Sequence, residues 1–174
     1  MIAQLARTLD RLSSALAHFA LILACGGILL LVVTMMVQVV ARYLLSSPLA
    51  WTEELARYAM VWAGLLGATA AYQRRADPVL LSRTSLPAML RRPAQWLELV
   101  AVTAFALSVL IYTPDLITLA SSRFSETMQA PMAWVMAIVP ISFGLLQFHA
   151  LARAAMLLTG QAPEEVAPDE QGGI

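Results

Sequence analysis

The chain has 174 residues, is 60% hydrophobic and only 13% charged, and has a mean hydropathy of +0.73. A soluble domain carries about a quarter charged residues, so this composition points to the bilayer as the natural solvent. All the basic residues are Arg and the formal net charge is zero, which leaves no basic surface for nucleic acid. Cys25 stands alone and forms no intrachain disulfide.

In residues 2 to 17, Ile2, Leu5, Leu9, Leu12 and Leu16 recur every three or four positions among Arg7, Asp10 and Arg11. That spacing predicts an amphipathic helix over 1–16, lying in the interface and running into the first span. The first apolar run extends from about Phe19 to Ala41. It is too long for a signal-peptide core and long enough to span, and is read as retained. The first span is placed at 17–45. Gly27, Thr34, Gln38 and Arg42 share one stripe of it, and polar groups there are expected to face protein rather than lipid.

A short turn, Ser46-Ser47-Pro48, leads to a second span at 48–75. Ser47 is placed to cap it, with Pro48 at the first helical position. Glu53 and Glu54 follow, favourable near a helix N-terminus, and Arg57 stands i,i+4 and i,i+3 from them. The uncharged stretch from Tyr58 to Gln73 is short of the ~20 residues a span needs. The charged cluster therefore belongs at the membrane boundary. Arg42 lies about as far before the turn as Glu53 lies after it, so a tight hairpin brings them level. The expectation is an ion-pair network of Arg42, Glu53, Glu54 and Arg57 that holds the hairpin and offers a docking face. Deeper in, Ala63 and Gly67, and beside them Gly64 and Ala68, form small-residue rows suited to helix packing.

The loop from 74 to 92 holds five arginines and Asp77, with a second short interfacial segment expected there. The third span is placed at 93–119, with Pro114 bending its far end. The fourth is placed at 131–151, with a kink at Pro140, whose ring removes a backbone donor. Glu164, Glu165, Asp169 and Glu170 with Pro and Gly make 160–174 an expected disordered acidic tail. The four-helix membrane domain thus covers 17–159. Arginine placement favours both termini on the cytoplasmic side.

No hydrolytic triad, metal spacing, phosphate loop or redox cysteine pair is present, so neither an enzyme nor a cofactor is expected. Two other readings compete. His18 and His149 both fall at the same side of the membrane, as a b-type haem anchor subunit would require, but two loosely placed histidines carry little weight. A stand-alone exporter needs a mid-span ionisable group, and the span centres hold only Thr34, Thr69, Thr103 and Ser142.

At Val40-Ala41-Arg42-Tyr43, the turn, and Trp51-Thr52-Glu53-Glu54-Leu55-Ala56-Arg57, the chain resembles the small membrane subunit of tripartite ATP-independent periplasmic (TRAP) transporters, the DctQ family. Trp62, Gly67-Ala68 and Arg74-Arg75 continue the likeness, as do Pro131, Trp134 and Val139-Pro140-Ile141. The family often has a His after the basic pair, where this chain has Asp77. The resemblance implies an all-α subunit of the bacterial inner membrane that binds a large permease. A periplasmic binding protein, which itself could touch this subunit, would supply an organic acid for sodium-driven import. It also implies that Trp51 joins Arg42, Glu53, Glu54 and Arg57 in an assembly cluster. Substrate and ion sites would lie in the large subunit.

Overall fold

The computed structural model describes residues 2–44, 46, 49–76 and 87–160. Among the described residues five helices follow one another: α1 (Ile2–Tyr43), α2 (Ala50–Arg74), α3 (Ala88–Ser121), α4 (Met132–Met136) and α5 (Ile138–Leu158). The only other regular feature among the described residues is an isolated antiparallel bridge, Phe124 to Pro131. The cap proposed at Ser47, the segment around Asp77 and the tail beyond Gly160 lie outside the described residues.

α1, α3 and the α4–α5 unit (132–158) are long and apolar enough to cross a membrane. α2 is not among them, although its 25 residues make a rod about 37 Å long at 1.5 Å per residue. Its buried residues are Thr52, Ala56, Ala59, Ala63, Leu66, Thr69, Ala70 and Tyr72. These face α1 on one side and α5 on the other, and most of them are small, so α2 lies close to both neighbours.

The hairpin of α1 and α2 is the most closely packed pair. Gly27 shows why. A Cβ built there would lie 3.0 Å from Ala63 Cβ and 3.5 Å from the Ala59 carbonyl oxygen. Gly67 is looser, 3.8 Å from Ala24 Cβ by the same measure. One core joins Ala17, Ala20, Ala24, Leu66, Ala70 and Ile138; a second joins Tyr72, Leu99 and Ala150. α3 packs on α4 and α5 and so stands at the edge of the bundle.

Several boundaries differ from those expected. α1 is one unbroken helix, with no step between residues 16 and 17. Its inward stripe is Ala6, Ser13, Ala17, Ala20 and Ala24, whereas Leu5, Leu12 and Leu16 are exposed. Small residues let α1 lie close to its neighbours, and the larger apolar ones cover the outside. α2 begins at Ala50, with Leu49 at the cap position making no side-chain cap bond. α3 continues through Pro114, which does not end it. The last helix is interrupted at Ala137, between α4 and α5. Pro140 explains the position: it has no N–H for the carbonyl four residues earlier, at the end of α4.

Candidate assembly site

The bundle has two polar ends. One carries the α1–α2 turn and the α3–α4 loop; the other carries the N-terminus of α1 and the C-terminus of α5.

At the turn end, Glu54 sits in the second turn of α2 with its carboxylate aimed at the α3–α4 loop. Its Oε1 accepts a hydrogen bond from the Tyr58 hydroxyl at 2.5 Å. Its Oε2 accepts from the backbone N–H groups of Thr127 at 3.1 Å and Met128 at 3.0 Å. Tyr58 stands one turn further along, so the i,i+4 spacing of α2 itself supplies that donor. Met132 Sδ lies 3.5 Å from the same hydroxyl. The loop is closed on itself as well. Ser125 N–H donates to the Ala130 carbonyl, Met132 N–H to the Arg123 carbonyl, and Gln129 takes a positive φ of 53° at the bend. One carboxylate therefore ties a β-like loop to the start of α2.

A turn deeper, Trp62 Nε1–H donates to the Val135 carbonyl at 3.2 Å. Val135 lies in the last turn of α4, just before the break. An indole donor on α2 is thus matched to the helix whose ladder Pro140 interrupts. Glu54, Tyr58 and Trp62 form one i, i+4, i+8 line on α2, and all three reach the α3–α4–α5 side.

Glu53 turns the other way. It pairs with Arg57 at 3.3 Å, both side chains largely in solvent, and such a pair stabilises little. Arg42 is exposed, and neither glutamate is its partner: Glu53 is taken by Arg57, and Glu54 by Tyr58 and the loop. The cross-hairpin network expected from residue counting is not what the structure brings together. Counting gave height along the hairpin, but not the direction in which each side chain points. Trp51 is also exposed, as are Phe124 and Trp134, the last at 74%. These surround the clasp with large apolar side chains.

The packing residues divide. Gly27 and Ala63 meet, Thr34 is buried with its hydroxyl donating to the Leu30 carbonyl, and Gln38 is half-buried. Gly64 has open space around it and Ala68 is exposed. That row faces away from the hairpin partner.

The opposite end holds a network that spacing alone did not reveal. Ser13 Oγ and His149 Nδ1 share a buried hydrogen bond of 2.6 Å between α1 and α5. Arg153 donates to Glu98 at 2.7 and 3.4 Å, joining α5 to α3. Its guanidinium also lies 5.6 Å from the centre of the Tyr72 ring, within cation–π range. Gln73 donates to Ser14 Oγ at 2.8 Å, and Arg74 contacts His18 Nδ1 at 3.0 Å. Each histidine therefore has its own side-chain partner on a different helix. Among the described residues no group of three or more His, Cys, Asp or Glu is arranged to hold a metal ion.

A family model described as tripartite ATP-independent periplasmic transporters, DctQ component, matches residues 31–160. That range is well over half of the chain and contains the whole clasp. The chain belongs to the DctQ family. No match was found among curated proteins. DctQ is a transporter component and not an enzyme class, and with three helices fit to cross a bilayer this DctQ chain is a multi-pass membrane protein of TRAP transport.

Proposed function

We propose that this DctQ chain is the scaffold subunit of a TRAP-type importer. It assembles with a large permease, and a periplasmic binding protein delivers an organic acid that enters with the sodium gradient. Family membership across residues 31–160 carries this reading. The distribution of polar groups supports it. Within the helices the hydroxyls of Thr34, Thr69, Thr113 and Ser142 donate to carbonyls of their own helix, those of Leu30, Leu66, Val109 and Ile138. Such hydroxyls are satisfied locally and offer little to a passing ion.

In this reading α2 also crosses the membrane, making four spans with both termini in the cytoplasm. Its flanking charges sit near its two ends, and its small residues suit a helix enclosed by α1 and α5. The turn end is then periplasmic, with Arg42, Arg57 and Arg123. The cytoplasmic side holds Arg7, Arg11, Arg74, Arg75, Arg83, Arg91, Arg92 and Arg153, as the positive-inside rule requires. Glu54 holds the periplasmic loop in place. Arg42, Trp51, Glu53 and Arg57 make the face offered to partners, and the exposed apolar residues of α1 and α3 meet lipid and the large subunit.

The test is reconstitution. The tagged chain, co-expressed with the large permease and binding protein of its transporter, should retain the permease through purification. Proteoliposomes should take up substrate only when both membrane subunits, the binding protein and an inward sodium gradient are present. Recovery of this chain alone, with uptake indifferent to its removal, would refute the function. Reporter fusions at the turn and at both termini test the topology separately.

A further inference from the structure

On α3, Phe105, Ser108, Tyr112, Asp115 and Leu119 are all exposed. They recur at alternating steps of three and four, which is the seam that one helix presents to another in left-handed packing. They flank a groove of about 520 Å³ whose far wall is formed by Val139 of α5. The groove exists because α3 leans on α4 and α5 while α1 and α2 pack with each other. Ser108 is the small residue of the seam and bonds back to its own helix, to the Ala104 carbonyl at 2.7 Å. A partner backbone can therefore approach closely there without stranding a polar group.

Asp115 indicates what lies in the groove. The uncharged stretch between Glu98 and Asp115 is 16 residues, about 24 Å of helix against a hydrocarbon core of about 30 Å. Seven further uncharged residues separate Asp115 from Arg123. The carboxylate thus stands inside the apolar part of α3, exposed, with no hydrogen bond or ion pair among the described residues. Carboxylates at such depth face protein or water and are paired rather than left to lipid tails. A seam of helical period with one unpaired acid in it fits a helix carrying one basic side chain.

We propose that the α3 seam seats a transmembrane helix of the large permease, with an Arg or Lys of that helix against Asp115. This rests on the function proposed above and names the surface through which the two subunits meet. A photoactivatable benzophenone side chain is placed at Ser108, at Leu119 or, on another exposed face of α3, at Leu107, and the complex is irradiated in native membranes. Adducts with the large subunit should form chiefly from Ser108 and Leu119. Asp115→Arg should lower recovery of the large subunit about tenfold by setting like charges together, Asp115→Asn should lower it less, and a basic-to-acidic change in the facing helix should restore recovery with Asp115→Arg. Adducts chiefly with lipid or with a second copy of this chain, equal yields at the three positions, or unchanged recovery of Asp115→Arg would each overturn the seam. In those cases co-purification of the large subunit with the wild-type chain leaves the proposed function standing. A wild-type chain that never retains the large subunit overturns both.

Discussion

Two adjacent glycines of α1 should respond oppositely to the same substitution. Gly26 has nothing within 4 Å of a built Cβ, whereas at Gly27 that Cβ stands 3.0 Å from Ala63 Cβ. Carbon atoms in contact prefer 3.5–4.0 Å, so one methyl at Gly27 is already roughly 0.5–1 Å too close. Gly26→Leu therefore gains on the order of 1 kcal/mol in helix propensity with no steric cost. Gly27→Leu gains the same propensity but drives its side chain into α2, an overpacking that costs about 1–3 kcal/mol. The two variants should differ by that steric amount. With about 2–4 °C of Tm per kcal/mol for a chain of this size, the gap is roughly 2–12 °C. Thermal unfolding of both variants in the same detergent measures it. Gly27→Ala combined with Ala63→Gly moves the methyl across the contact, where its next neighbours are the Ala59 oxygen at 3.5 Å and Ala63 Cα at 3.6 Å. That double variant should lie within about 1 kcal/mol of wild type. Equal Tm values for Gly26→Leu and Gly27→Leu would refute the close approach of α1 to α2.

Three other outcomes follow from named contacts. Glu54→Gln keeps an acceptor but loses the charge, and Glu54→Ala removes both; amide exchange at Thr127 and Met128 should quicken slightly in the first and strongly in the second, and unchanged exchange in Glu54→Ala would disprove the clasp. Trp62→Phe keeps one aromatic ring but removes the donor to Val135 together with the pyrrole carbons, so unfolding should be easier by at least about 1 kcal/mol, the net worth of one hydrogen bond. The Arg153 side chain is 10% exposed and that of Glu98 31%. Glu98→Gln should therefore cost more, approaching the ~3 kcal/mol of a broken buried pair, than Arg153→Leu, and the two together should cost less than their sum, as a thermal double-mutant cycle will read.

Much of the architecture was legible because a bilayer restricts the choices. Long continuous apolar runs become helices, since a helix satisfies its whole backbone within one segment in lipid, whereas strands do so only in a closed barrel. Gly27 lay on the stripe of α1 expected to face protein and Ala63 in a small-residue row of α2, and these two positions meet; the break before Pro140 follows from its missing donor. Spacing could not distinguish the Ala63–Gly67 row from the Gly64–Ala68 row, because neighbouring rows on a helix look alike until a partner covers one. Arg42 was assigned to the charge cluster for a related reason. Height along a hairpin can be counted from a turn, but rotation about the axis cannot. The clasp itself left half a trace. Tyr58 lies one turn from Glu54 on the same face, yet the other donors are main-chain amides more than seventy residues away, and every residue but proline has one. Ser13 with His149, 136 positions apart, is a similar case: only the packing of α1 on α5 brings them together.

The way Glu54 holds its loop has a consequence for how such subunits diversify. The carboxylate reads the backbone at Thr127 and Met128 and ignores their side chains, so any residue with an N–H can occupy those positions without loosening the attachment. Proline alone is barred. What the loop displays is thereby separated from how it is held. Mutation can repaint the surface shown to a changing partner while the anchor, one glutamate on α2, stays the same.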